Sequence, residues 1–170
     1  MDTARSSRRT GLADTIRKYA SSPCWMHEVD PGYLGYWSRD EVVAFLKSLL
    51  ERERIGTKAF SDIRQAASLH SADLILESKL AQASICLLLQ AEIAARGSVA
   101  TDPLKDVTNE RHTKCSLEQA IAFARSNQAE LILTIEQAVL NILDSALNSH
   151  LTKMLQLHWN QIEQLDTLLT

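Results

Sequence analysis

Residues 38–60 read Ser38-Arg39-Asp40-Glu41-Val42-Val43-Ala44-Phe45-Leu46-Lys47-Ser48-Leu49-Leu50-Glu51-Arg52-Glu53-Arg54-Ile55-Gly56-Thr57-Lys58-Ala59-Phe60. The stretch opens with a capping box, Ser38 with Glu41 three residues on, and Trp37 and Val42 occupy the positions of a hydrophobic staple. From there an apolar line runs Val42, Leu46, Leu49, position 53, Gly56 and Phe60, spaced alternately four and three residues apart. That is the period of one helix face turned to a core. Position 53 on this line is a glutamate.

Three further helices follow on the same reasoning. After a weak break at residues 67–71, a second helix runs to a C-cap at Gly97, with Ile75, Leu76, Leu80, Ala83, Leu87, Leu89 and Ile93 expected inward and Gln82 and Cys86 flanking them. A second capping box, Ser116 with Gln119, opens a third helix with Leu117, Ile121, Ala124, Leu131, Ile135, Ala138 and Ile142 inward. Its opposite face carries Asn127, Glu130, Thr134, Gln137 and Asn141. The turn into the fourth helix falls near Asp144-Ser145, and the stripe beyond it is Leu147, Leu151, Met154, position 158, Ile162 and Leu165. Position 158 is a histidine.

The sequence of 170 residues carries only five glycines and three prolines, which argues against a turn-rich β architecture. The prediction is an all-α chain: a flexible arginine-rich arm over residues 1–22, an aromatic loop over 23–37 that packs on the bundle, and a four-helix bundle over 38–170. Residues 97–115 form the longest connection, long enough to span a helix of about 36 Å, so a bundle with one long crossover is expected between the second and third helices. An up-down-up-down bundle is the alternative.

Eighteen Lys and Arg against 21 Asp and Glu give a net charge of −3, which leaves no basic field to hold nucleic acid. The arginines of the arm are followed by no apolar stretch of signal or anchor length, so no membrane association is expected. Three widely spaced cysteines fit a reducing compartment, and the expected location is the cytoplasm.

The first helix around Leu49-Leu50-x-x-Glu53 and the last, Leu151-Thr152-Lys153-Met154-Leu155-Gln156-Leu157-His158-Trp159-Asn160-Gln161-Ile162, resemble the corresponding helices of small bacterial ferritin-like proteins of unknown function. Pro23-Cys24-x-x-His27-Glu28-x-Asp30-Pro31-x-Tyr33 is similar to a leader found before some of these domains. The resemblance implies a ferritin-like bundle and makes Glu53 a metal ligand. A di-iron site of that fold needs about four carboxylates and two histidines. Here Gln82 stands where the resemblance expects a carboxylate, Ile85 where it expects a histidine, His158 in place of a carboxylate and Gln161 in place of its histidine. The di-iron motif is degraded, and oxidase chemistry is not expected.

Three readings of the core polar residues stay open. Glu53 and His158, joined by Glu130 if its face turns inward, can hold a single divalent ion of iron, manganese or zinc. Glu53 and His158 can instead form a buried hydrogen-bonded pair within an amide network of Gln82 and Gln161. They can also act as base and acid in a small-molecule pocket. Separately, Cys24-x-x-His27 and His112-x-x-Cys115 supply four zinc-compatible ligands in two pairs. The apolar surplus on the second helix, at residues 85–89, and on the fourth, at Leu157, Trp159, Leu168 and Leu169, exceeds one core-facing stripe. It predicts a homodimer or a protein partner.

Overall fold

The computed structural model describes residues 31–67, 69–100 and 116–168. The expected arm, the first part of the aromatic loop and the two Cys-His pairs lie outside the described residues. A 3-10 turn at Pro31–Leu34 precedes four α-helices: α1 (Arg39–Ala66), α2 (Leu69–Ala95), α3 (Leu117–Asn141) and α4 (Ser145–Thr167). Among the described residues all regular structure is helical.

The helix ends obey their local chemistry. At the start of α1 the Ser38 backbone N–H donates to Glu41 Oε2 at 2.8 Å and the Ser38 hydroxyl donates to the same oxygen at 2.7 Å. These bonds hold the Glu41 carboxyl below its ordinary value. Ser116 and Gln119 make the matching box on α3, and Asp144 caps α4 by accepting from the N–H groups of Ala146 and Leu147. The α2 terminus closes at Gly97, whose φ of 72° lets its N–H reach Ala94 O at 2.9 Å while Ser98 N–H reaches Ile93 O at 3.2 Å. That pair of bonds is a Schellman motif, and the left-handed residue it needs is the glycine.

Packing pairs α1 with α2, α3 with α4, α1 with α3 and α2 with α4. Each pair is antiparallel. Trp37, just before α1, donates its N–H to Asn141 O at the end of α3 at 2.7 Å, Arg52 meets Glu130 at 3.3 Å, and Phe60 and Ile63 share a cluster with Ala120 and Ile121. On the α2–α4 seam Arg96 meets Asp144 at 2.6 Å and Ser78 meets Gln164 at 2.6 Å. Arg96 also bonds Glu92, which receives His150 Nδ1 at 2.8 Å, and Arg39 donates to Arg96 O at 2.5 Å. This cluster joins α1, α2 and α4 at one end.

The apolar core comes in two parts. One gathers Leu46, Leu49, Leu50, Ile85, Leu89, Leu131, Ile135, Leu151, Met154 and their neighbours, and Trp37 of the aromatic loop packs on it, its ring 5.3 Å from that of Phe45. The other gathers Ala59, Phe60, Ile63, Ile75, Ile121, Ala124 and Leu165.

Two facings differ from expectation. Leu80 and Leu87 of α2, expected inward, are 59% and 68% exposed. The buried line is Ile75, Ser78, Gln82, Ile85, Leu89 and Ile93. Apolar residues surround α2 on every side, so an apolar count does not fix its rotation, whereas the polar contact of Gln82 with α1 does. On α4 the inward residue after His158 is Gln161 rather than Ile162, which keeps the four-three alternation.

Leu89, 1% exposed inside the larger apolar cluster, gives a direct check on this facing. Leu89→Ala is expected to cost about 2–5 kcal/mol of stability, read as a lowered urea midpoint at unchanged slope.

Candidate functional site

On each helix the buried line carries a polar residue between the two apolar clusters: Glu53 on α1, Gln82 on α2, Gln128 on α3 and His158 on α4, all fully buried. Ser78 and Gln161 are buried beside them. The four helices therefore supply one polar layer across the bundle. A polar group taken from water without a partner costs on the order of a few kcal/mol, and an unpaired charge far more, so the contacts inside the layer decide whether it is tolerated.

Those contacts run in a chain. Gln82 Nε2 donates to Glu53 Oε2, and His158 Nδ1 lies 2.6 Å from Gln128 Oε1. Gln161 Nε2 donates to the backbone carbonyl of Ser78 at 3.2 Å. Glu53 Oε1 and His158 Nε2 lie 3.0 Å apart, close enough for an ion pair, yet neither makes an aligned hydrogen bond. Gln82 Oε1, Gln161 Oε1, Gln128 Nε2 and Asn127 Nδ2 also have no hydrogen-bond partner among the described residues. An N–H on Nδ1 would donate to Gln128 Oε1 and one on Nε2 would face Glu53 Oε1, so the ring stands between an amide and a carboxyl group.

Gly56 explains how the amides fit. A Cβ at this position would lie 2.7 Å from Gln82 Nε2 and 3.0 Å from Asn127 Nδ2, so the missing side chain of α1 is replaced by amides from α2 and α3. Cys86, one turn beyond Gln82, flanks the layer as a half-buried free thiol with Thr57 Oγ1 4.0 Å away. Burial, and after it the charge of Glu53, push this thiol above its ordinary value.

The structure brings together Glu53 and His158, as their positions on the apolar lines predict, and adds Gln82 and Gln161. Glu130 is not part of the site. It is a surface residue, its side chain 63% exposed and paired with Arg52, because the polar face of α3 points outward. Gln128 is the residue that sequence reasoning passed over. Its signal was spacing: it falls four residues after Ala124 and three before Leu131, on the buried line itself. Among the described residues no three His, Cys, Asp or Glu side chains converge, so any ion held here would draw on amide oxygens.

These features define a class, an all-α four-helix protein with a buried carboxylate–imidazole layer. A family profile described as a domain of unknown function, DUF6306, matches residues 40–167, and the chain belongs to that family. No curated protein and no solved structure matches it. Among the described residues no helix is long and apolar enough to cross a membrane.

The raised Cys86 thiol has a pH consequence. The unfolded chain loses this proton first as pH rises, so the contribution of Cys86 is complete below about pH 8.5 and is lost progressively as pH climbs through the higher native value. The stability of the wild type minus that of Cys86→Ser, taken from urea titrations between pH 7 and pH 10, is expected to shrink with rising pH, by no more than about 1.4 kcal/mol per unit.

Proposed function

We propose that the protein is a ferritin-like helical bundle whose polar layer binds one divalent metal ion of the iron, manganese or zinc class, without the two-metal oxidase chemistry of that fold. The observation that carries this reading is the approach of Glu53 Oε1 to His158 Nε2. The two atoms lie 3.0 Å apart in the core and neither has a hydrogen-bond partner, so a cation bound by both would satisfy them together. The separation matches the edge between neighbouring ligands around an ion whose bonds are about 2.1 Å long. Gln82 Oε1 and Gln161 Oε1 offer two more unpartnered oxygens. One imidazole nitrogen with oxygen donors suits borderline divalent ions, and the lone carboxylate does not neutralise two.

The helix directions support the ferritin-like arrangement. With every neighbouring pair antiparallel, α3 starts at the bundle end opposite to the α2 terminus. The described end of α2 and start of α3 are thus about a helix length apart, about 37 Å for a helix of 25 residues, which is the separation one long crossover would bridge. When bound, the ion supplies positive charge and Lewis acidity at the centre of the layer. Glu53 and His158 hold it and tie α1 to α4.

Chelator-stripped protein titrated with Mn²⁺, Zn²⁺ or, without oxygen, Fe²⁺ is expected to bind one ion per chain and to melt at a higher temperature. Glu53→Gln and His158→Leu are each expected to weaken binding at least about tenfold. A wild-type protein that shows no ion-dependent shift with any of the three sinks this reading.

The second reading is a non-enzymatic dimerisation module in which the polar layer is purely structural. It draws on the outer face of α2, where Leu80 and Leu87, two turns apart, stand exposed. A two-fold axis along this face sets each leucine pair against its copy. Light scattering is expected to give twice the 19.0 kDa chain mass on this reading, and Leu80→Lys with Leu87→Lys to return it to one.

A further inference from the structure

We propose that the outer face of α3 is a docking surface for the chain's own arginine-rich arm, with Leu12, Ile16 and Tyr19 laid along Leu133 and Leu140. The proposal is independent of what the polar layer holds. Besides its buried line, α3 carries a second line turned to solvent: Ala129, Leu133, Glu136, Leu140 and, just past the helix end, Leu143, alternately four and three residues apart. The three leucines are each more than half exposed. Trp159, also about half exposed, stands seven residues before Asp166 and so on the same flank of α4, and Asp166 pairs with Arg125 of α3 at 3.0 Å. The tryptophan therefore borders this face. Large apolar side chains grouped along one flank at helical spacing mark a surface that something covers.

The point where the chain enters the bundle selects the occupant. Trp37 donates its N–H to Asn141 O at 2.7 Å, so the backbone leading into α1 arrives beside the end of α3, close to Leu140 and Leu143. Thirty residues of the sequence precede Pro31. Among them Leu12, Ile16 and Tyr19 are spaced four and three apart, the pattern of one helix face, and Leu12 to Tyr19 covers the same seven residues as Leu133 to Leu140. The eleven residues 20–30 reach up to about 36 Å, against about 10 Å from Leu140 to Leu133 along the helix. Charge selects the same segment. Residues 1–19 carry Arg5, Arg8, Arg9, Arg17 and Lys18 against Asp2 and Asp14, five positive charges to two negative. On the face, Glu136 lies between the two leucines and Glu163 one turn beyond Trp159, and neither makes an ion pair among the described residues. Attraction between opposite charges sets orientation and burial of the apolar line holds it. The other exposed leucine pair, Leu80 and Leu87, has no carboxylate between its members and sits on α2, the helix diagonal to α3.

Amide exchange of the 170-residue chain, read by mass spectrometry at neutral pH and low salt, is expected to show residues 11–20 protected at least about tenfold over a free peptide of that sequence. Leu133→Lys with Leu140→Lys alters two exposed side chains and is expected to return residues 11–20 to the free-peptide rate while α1 to α4 keep their protection. Leu12→Asp with Ile16→Asp is expected to do the same from the other side of the contact. Free-peptide exchange of residues 11–20 in the wild type overturns the proposal, and so does protection that survives the lysine pair, which places the arm elsewhere. Light scattering on the same samples tests for a second copy: a wild-type dimer that the lysine pair turns into a monomer assigns the face to that copy and overturns the proposal. Should the lysine pair cost α3 its own protection, the aspartate pair, which changes no residue of the four helices, decides.

Discussion

The approach of Glu53 to His158 in the middle of the bundle is the constraint around which the rest is arranged. A carboxylate with no solvent exposure is tolerated only where neighbours answer its charge and its lone pairs. Here Gln82 answers one oxygen, His158 stands opposite the other, and Gln128 braces the imidazole from behind. Each group comes from a different helix, so the layer sets the rotation of all four helices at once. That is why α2, apolar on every side, still presents one particular face. It also accounts for the glycine on α1, since a side chain at position 56 would collide with the amides that complete the layer.

Around that layer the local rules agree with one another. Ser38, Ser116 and Asp144 start their helices and Gly97 ends one. Arg96 ties the α2 terminus to the first turn of α4. The surface pairs Arg52–Glu130 and Arg125–Asp166 are solvent-exposed and contribute about 0–1 kcal/mol each, so they decorate the seams rather than determine them.

Much of this was legible in the sequence. Two capping boxes and the four-three spacing of apolar residues on the first and fourth helices gave helix number, limits and facing, and they put Glu53 and His158 on the inner lines. What stayed hidden has a physical origin. A buried line was read as an apolar line, so glutamines on it were assigned to flanks: Gln128 was skipped between Ala124 and Leu131, and Gln161 lost its place to Ile162. On α2 the same habit turned Leu80 and Leu87 inward. Pattern reading weighs transfer free energy residue by residue, whereas Gln82 and Gln128 are inside because of partners on other helices, which no single helix reveals. Glu130 shows the converse: a carboxylate of the right type, placed on the outer face by its own helix phase.

The polar layer also divides the molecule mechanically. Among the described residues the apolar cluster on the Trp37 side is closed by the Arg96–Glu92–Asp144 cluster, and a second apolar cluster lies on the Phe60 side. A core cut in two by groups that do not bury apolar area has no reason to open as one unit, since local opening follows the contacts each part contains. The bundle thus carries two apolar blocks, one on each side of the layer at Glu53 and His158. Whatever stiffens the layer therefore couples one block to the other.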